Sequence, residues 1–164
     1  NSDPYLEFTI KIYSEHQGVT NELENLRPGD EIVIGAPFGS ISYRGKGIFI
    51  AGGAGITPFL SIFRDLHSRN ELAGNLLFYA SKTRADIILE QELAGMLGGG
   101  MINVLSREKA ENYRHGYISE NLLREYAGDF SCPFYLCGPP AMMKSMTEML
   151  AGLGVDRKAV IMDL

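Results

Sequence analysis

The sequence predicts part of a small antiparallel β-barrel over residues 1–46, followed by an α/β domain over residues 47–164 with a five-stranded parallel sheet flanked by helices. Three observations predict this fold class. Polar and apolar residues alternate with the period of a strand in "YLEFTIKIY" (5–13). From residue 47 onward, strand-like segments alternate with helix-like ones, which is typical of a parallel sheet covered on both faces. A glycine-rich corner, "GGAGITP" (52–58), joins the first of those strands to its helix.

The composition is that of a globular protein, with 164 residues, 45% hydrophobic and 21% charged. This length fits one domain, or one domain and part of a second. The net charge of -5 argues against a nucleic-acid-binding surface. No apolar run is long enough to span a bilayer, and the N-terminus lacks a basic-then-apolar signal. Two cysteines cannot make a disulfide framework or a metal site. From these observations together we expect a cytoplasmic protein with no metal, membrane or nucleic-acid partner.

The first part of the chain contains strand signals and one short helix. After the alternating strand come the helix candidate "GVTNELENL" (18–26), the strand "EIVIG" (31–35) and another turn and short strand in "APFGSISYRGKG" (36–47). Three strands and one helix cannot close a barrel or bury both faces of a sheet. We therefore expect the second half of a small barrel, joined to the next domain at "YRGKG" (43–47).

The second part reads as five strands and four helices with short connections. The strands are "GIFIA" (47–51), "NLLFYA" (75–80), "MINVLS" (101–106), "PFYLC" (133–137) and "KAVIM" (158–162). The helices are "TPFLSIFRDLHSRN" (57–70), "ADIILEQELAGML" (85–97), "ISENLLREYA" (118–127) and "PAMMKSMTEMLAGLG" (140–154).

The glycine corner lies where open parallel sheets bind small molecules, between a strand and the start of its helix. Its pattern is G-x-G-x-x-P, with Gly53, Gly55 and Pro58. Glycines permit a tight turn and a close approach of phosphate, and the start of a helix offers unpaired N–H groups. Proline suits the first turn of a helix, and Thr57 before it predicts an N-cap. A purely structural turn is the alternative.

A second candidate site follows the second predicted strand. A standard dinucleotide fold would place an acidic residue about 20 positions after the glycines, to bind a ribose. Ser81, Lys82, Thr83 and Arg84 stand there instead. The two cations could contact a phosphate, and a solvated loop is the alternative.

Together, "GGAGITP" and "YLCGPPAMM" (135–143) resemble motifs of the ferredoxin–NADP reductase superfamily, in the same order and over essentially the whole chain. The resemblance implies a flavin-binding barrel followed by a pyridine-nucleotide-binding parallel sheet. It also implies FAD and NADPH or NADH as cofactors, with a hydride passing between nucleotide and flavin. Single electrons would then pass between the flavin and ferredoxin, flavodoxin or a small-molecule acceptor.

The resemblance assigns roles to individual residues. The pyrophosphate and nicotinamide would be received by Gly53, Gly55, Ile56, Thr57 and Pro58, and the nicotinamide would lie beside Cys137, Gly138 and Pro139, with Cys137 as the catalytic candidate. The flavin phosphate would be contacted by Gly18, Val19 and Thr20, and the 2′-phosphate of NADP by Ser106 and Arg107, with Tyr117 as a further candidate. From their place after the second strand, Lys82 or Arg84 would assist Arg107. Two alternatives stay open from the residues themselves: Cys137 as a small buried hydrophobic residue, and Thr20 as an ordinary N-cap.

The chain also departs from the family. The flavin signature Arg-x-Tyr-Ser/Thr is absent, and so is the aromatic residue that many members place over the flavin near the C-terminus. The main prediction is an NAD(P)H-dependent flavoprotein reductase, and the alternative is a non-catalytic nucleotide-binding or electron-transfer subunit of a larger complex. An iron–sulfur subunit is disfavoured because a cluster normally takes four cysteines and this chain has two.

Overall fold

The computed structural model describes residues 4–12, 18–36 and 39–162. The chain divides into two compact units, Asn1–Gly39 and Ser40–Leu164. Residues 40–46, predicted from the sequence to belong to the barrel, lie in the second unit. Tyr43 in this segment stacks on Tyr135, with ring centroids 6.0 Å apart.

Among the described residues of the first unit, Val19–Glu22 form a short helix, α1, followed by a turn of 3₁₀-helix (Leu23–Asn25). The structure assigns no strand to the described residues of this unit, so the predicted half-barrel is not shown. Its expected strand residues are exposed: Leu6 by 75% and Val33 by 99%. A lone strand leaves its backbone groups without partners, so it needs neighbours to form a stable sheet.

The second unit alternates strands and helices as predicted. Its strands are β1 (Ile48–Gly52), β2 (Leu76–Ser81), β3 (Met101–Leu105), β4 (Arg114–His115), β5 (Phe134–Cys137) and β6 (Val160–Met162). Its helices are α2 (Thr57–Ser68), α3 (Glu90–Leu97), α4 (Glu120–Tyr126) and α5 (Pro140–Gly152). Short 3₁₀ segments occupy Gly53–Ile56, Arg84–Asp86, Gly98–Gly100 and Arg157–Ala159.

All six strands form one parallel sheet in the order β4-β3-β2-β1-β5-β6. The predicted parallel sheet is confirmed, but the expected count of five strands was wrong. The additional strand, β4, has two exposed polar residues, so no apolar run reveals it in the sequence. It pairs with the end of β3 at the edge of the sheet, and just after it the Gly116 N–H donates to the Leu105 carbonyl at 2.8 Å.

The two faces of the sheet bury separate apolar clusters, because successive side chains of a strand point to opposite faces. One cluster joins Phe49, Tyr79 and Tyr135 to residues of α2 and α3. The other joins Ile50, Phe78 and Leu136 to residues of α4 and α5. The sheet is therefore covered on both sides, which fixes the positions of its strand ends.

One helix begins later than the sequence predicts. The segment 85–97 was expected to be helical throughout, but α3 begins at Glu90. A local capping box between Thr83 and Asp86 closes a separate 3₁₀ turn, and Leu89 adopts a left-handed conformation with φ of 51°. These two features interrupt the helix between residues 86 and 90. Within the described ranges, none of the helices is both long and apolar enough to cross a membrane.

Candidate functional site

The strand order predicts a ligand-binding crevice at the carboxyl end of β1. From β1 the chain moves outward through β2 and β3 on one side, and the later strands β5 and β6 lie on the other. Ligands of open parallel sheets bind where the strand order reverses in this way, because the connections on the two sides diverge and leave room between them. The turns that follow β1 and β5 flank this point.

The two turns touch each other through glycines. A Cβ atom on Gly55 would collide with the carbonyl group of Cys137, and one on Gly138 would lie 3.1 Å from the Gly52 nitrogen. The sequence motifs "GGAG" and "CGPP", far apart in the chain, are therefore in direct backbone contact. Gly55 therefore has no room for a side chain, and at Gly138 an added Cβ would be tighter than an ordinary contact.

Gly53 has a different role. Its φ is 53°, a left-handed value that favours glycine, and a Cβ at this position would meet nothing within 4 Å. The turn thus presents an open surface at the point where the 3₁₀ segment and α2 begin. This space and the unpaired N–H groups of a helix start fit a pyrophosphate group.

The residues after the glycines form the start of α2. Pro58 lies in its first turn as predicted, but Thr57 is not the N-cap, which is Ile56. The 3₁₀ turn runs directly into α2, so Thr57 is already helical and its hydroxyl donates to the Ala54 carbonyl at 3.0 Å. The side chain of Ile56 is fully buried in the core.

At the end of β5, Cys137 lies beside Ala51 in register. Its side chain is half-buried, packs against the cluster of Phe49 and Tyr135, and takes part in no disulfide. The sulfur of Met142, on α5, approaches Gly52 so closely that an added Cβ there would lie 2.6 Å from it. Pro139 is exposed and is the N-cap of α5.

The ends of β2 and β3 bring the second predicted group together. The Ser106 N–H donates to the Ser81 carbonyl at 3.0 Å, and the Arg107 N–H to the Lys82 carbonyl at 2.9 Å. Lys82 and Arg107 are exposed neighbours. The side chain of Ser81 is instead buried, 7% exposed.

Arg84 is held by residues that the sequence analysis did not single out. Its Nε lies 3.7 Å from Glu90 Oε2, and its guanidinium lies over the ring of Tyr113 at 5.6 Å. The Tyr113 hydroxyl donates to Glu90 Oε1 at 2.5 Å, a bond that raises the pKa of Tyr113. The Glu108 carboxylate accepts from the Arg84 N–H at 2.8 Å. Sequence spacing gave no signal for Glu90 or Glu108, because the break before α3 and the loop after β3 bring them to Arg84.

The remaining predicted residues lie elsewhere. Tyr117 is 82% exposed, shortly after β4. Gly18 is the N-cap of α1, so the alternative of Thr20 as N-cap was wrong, and Val19 is 78% exposed. The segment Gly18–Thr20 begins a short helix in the first unit, as expected.

The opposite, amino end of the sheet contains two clefts of about 600 and 240 Å³. Cys132 lines the smaller one, and burial raises the pKa of its thiol. Neither cleft includes residues of the two glycine turns, so cleft volume does not identify the site suggested by the strand order. Among the described residues, no group of three or more His, Cys, Asp or Glu could hold a metal ion.

Residues 49–148 match the family model described as the oxidoreductase NAD-binding domain. The chain belongs to this family. The matched range covers more than half of the chain and includes both glycine turns and the ends of β2 and β3. The resemblance to the ferredoxin–NADP reductase superfamily is thereby confirmed.

A curated relative of this NAD-binding domain is the F subunit of the Na(+)-translocating NADH-quinone reductase of Yersinia pestis (strain Pestoides F). The two are 27% identical over 157 residues, which cover 85% of this chain and 38% of the relative. The chain therefore spans well under half the length of the curated relatives it matches.

Solved structures share the fold of the NAD-binding domain. The flavohem-like FAD/NAD binding domain of nitric oxide dioxygenase from Vibrio cholerae O1 biovar El Tor superposes with a TM-score of 0.66 at 24% identity, covering 78% of this chain and 54% of that one. A ferredoxin NADP+ reductase from Neisseria gonorrhoeae superposes with a TM-score of 0.58 at 22% identity, covering 72% and 55%.

Proposed function

We propose that this chain is the nucleotide-binding part of an NAD(P)H-dependent flavoprotein reductase. The whole protein would move electrons between a nicotinamide nucleotide, FAD and a one-electron acceptor such as ferredoxin, flavodoxin or a small molecule. The observation that carries the proposal is the backbone contact between the turns at Gly55 and Gly138, beside the open surface at Gly53. In this proposal residues 47–164 bind the nucleotide, and residues 1–46 belong to the flavin-binding part.

The residues of the site would bind and orient the nucleotide. The N–H groups at Gly53 to Gly55 would bind the pyrophosphate, and the partial positive charge at the start of α2 would favour its negative charge. The side chains of Ile56 and Thr57 are engaged elsewhere, and the Thr57 N–H is bonded to the Ala54 carbonyl, so these two residues would shape the turn. The nicotinamide would pack against Cys137, whose polarizable thiol suits contact with a ring. The bound nucleotide supplies a hydride, and the protein supplies its orientation.

The contribution to FAD would be smaller. Gly18, Val19 and Thr20 begin a helix of four residues and could contact a flavin phosphate. The described residues of the first unit contain no paired strands that could hold the rest of the flavin. We therefore assign to this chain only the phosphate contact.

The nucleotide preference would result from opposing charges at the ends of β2 and β3. Arg107 and Lys82 are exposed neighbours that favour the 2′-phosphate of NADPH. Glu108, next to Arg107 in sequence and bonded to the Arg84 N–H, opposes that charge. The curated relative is named for NADH, which lacks the 2′-phosphate. We propose that both nucleotides bind, with the balance set by Arg107 and Glu108.

A second candidate is a nucleotide-binding or electron-transfer subunit of a larger complex. It is favoured by the relative's name, which describes one component of a quinone reductase, and by the 38% of that component that the chain covers. The name also describes a Na(+)-translocating assembly, so a cytoplasmic location without a membrane partner stays a prediction.

The two candidates are separated by turnover of the intact protein supplied with FAD. We expect it to oxidise NADH or NADPH with ferricyanide as the electron acceptor. Nucleotide binding is measured separately, by quenching of the protein's fluorescence. A preparation that binds nucleotide but gives no turnover with either nucleotide would favour the second candidate. A preparation that binds neither nucleotide would contradict both candidates.

A further inference from the structure

Tyr79 connects the glycine turn to the other edge of the candidate site. It lies on β2, next to Ala51 of β1, and is fully buried. Its hydroxyl donates to the Gly53 carbonyl at 3.0 Å and accepts from the Ile88 N–H at 3.2 Å. Burial raises the pKa of Tyr79, so the hydroxyl keeps the proton that it donates.

The bond to Gly53 determines which way the next peptide group faces. In a planar trans peptide the C=O of one residue and the N–H of the following residue point in opposite directions. Because the buried hydroxyl holds the Gly53 carbonyl inward, the Ala54 N–H is directed outward. The position where Gly53 would carry a Cβ, next to this peptide group, is open.

The bond from Ile88 joins the same oxygen to the segment before α3. This segment begins with the 3₁₀ turn of Arg84, whose N–H is bonded to Glu108. The Tyr79 hydroxyl therefore bridges two parts of the proposed site. One is the glycine turn, which would bind the pyrophosphate, and the other is the Arg84 loop, beside the residues that would bind the 2′-phosphate on the adenosine. A dinucleotide must contact both at once, so their relative position affects its affinity.

We propose that Tyr79 is a positioning residue for dinucleotide binding, which orients the Ala54 N–H and fixes the spacing between the glycine turn and the Arg84 loop. The inference rests on the proposed function, because it takes the ligand of the crevice to be a nicotinamide dinucleotide. Tyr79 itself touches no ligand in this scheme.

The chain offers a matched control in Tyr135. This residue is also fully buried on the same face of the sheet, on β5. Its hydroxyl likewise bridges two backbone groups, donating to the Gly45 carbonyl at 2.7 Å and accepting from the Arg44 N–H at 2.8 Å. Those groups precede β1 and belong to neither glycine turn. Tyr79→Phe and Tyr135→Phe thus each remove one hydroxyl and its hydrogen bonds to two backbone groups.

The test compares the two variants in the intact protein by urea unfolding, by dissociation constants for NADH and NADPH from fluorescence titration, and by KM and kcat. We expect the two variants to lose similar amounts of stability. For Tyr79→Phe alone we expect the dissociation constant and KM to increase about three- to tenfold, with kcat nearly unchanged. Tyr135→Phe should stay within about twofold of the wild type in affinity.

Three outcomes would overturn the inference. Equal affinities for Tyr79→Phe and the wild type would show that the hydroxyl positions nothing. Equal weakening by both substitutions would show a general effect of lost stability. A wild-type protein that binds neither nucleotide would overturn the proposed function and this inference with it.

Discussion

Arg107 is the residue with the most selective expected effect. Its side chain is exposed and the structure records no side-chain partner for it among the described residues. A charged hydrogen bond contributes about 1.5–3 kcal/mol, so Arg107→Ala should weaken NADPH binding roughly ten- to a hundredfold. NADH binding should scarcely change. Titrations with both nucleotides check this, with Arg124→Ala, an exposed arginine on α4, as the control; equal losses for the two nucleotides would contradict the assignment.

Glu108 should have the opposite effect. Glu108→Gln keeps an oxygen that can accept from the Arg84 N–H but removes the negative charge. The ratio of kcat/KM for NADPH to that for NADH should therefore rise several-fold. A ratio that stays constant or falls would show that this carboxylate does not face the 2′-phosphate. The side chain was not foreseen, because a loop, not a strand, brings it to Arg84.

At the scale of elements, the contact between the two glycine turns is the most sensitive feature. Gly55→Ala would place a methyl group against the Cys137 carbonyl, and backbone cannot yield as a flexible side chain can. We expect a loss of about 3 kcal/mol in the free energy of unfolding, together with weaker nucleotide binding.

Gly95→Ala is the control, since an added Cβ in the middle of α3 meets nothing within 4 Å. It should be neutral or stabilise by up to about 1 kcal/mol, and similar effects of the two changes on unfolding would refute this explanation.

Helices α2 and α3 are joined by a two-bond ion pair. Arg64 Nε lies 2.6 Å from Glu92 Oε1, and Arg64 Nη2 lies 3.0 Å from Glu92 Oε2. The hydrogen bond to Arg64 lowers the pKa of Glu92 from its ordinary value of 4.5. A lowered pKa stabilises the fold above the unfolded-state value, and this stability is lost as the pH falls through the lower folded-state value.

Because both side chains are about one-third exposed, the pair contributes about 0.5–1 kcal/mol. The difference in unfolding free energy between the wild type and Arg64→Met should therefore be present at pH 7 and be lost as the pH falls below 4.5, through the lowered pKa of Glu92. Urea unfolding across this range measures it. A difference that is the same at pH 7 and pH 3 would show that Arg64 contributes packing and not charge.

At the scale of the whole molecule, the two units differ in what they bury. The second unit has a core on each face of its sheet. The first exposes Leu6, Phe8 and Val33. We expect these 164 residues, expressed alone, to bind nucleotide weakly and to retain little or no FAD. Absorption spectra of the purified chain check this, and a stoichiometric yellow flavoprotein would contradict it.

The sequence predicted most of the second unit, because buried strands and amphipathic helices leave apolar periodicities that are local. The motifs at Gly55 and Gly138 predicted that the ends of β1 and β5 belong to one site. The sequence did not reveal β4, whose Arg114 and His115 are exposed and polar, or the break at Leu89, where local capping interrupts a helical pattern. It also missed Tyr79 as a link, because periodicity identifies a buried residue but not the partners of its hydroxyl. The predicted strands of the first unit needed partners, and partners cannot be inferred from one strand's own residues.

The pairing of β1 with β5 has a consequence for the order of events during synthesis. Ile48 lies beside Phe134 in the sheet, so the crevice has only one wall until the later strand is in place. A ribosome makes the glycine turn early, yet a nascent chain cannot bind a dinucleotide there until residues up to about Pro140 have emerged and folded. Nucleotide added to a translating system should therefore protect nascent chains from protease once they extend beyond Pro140. Shorter nascent chains that already carry β1 to β3 should stay as sensitive to protease as they are without nucleotide.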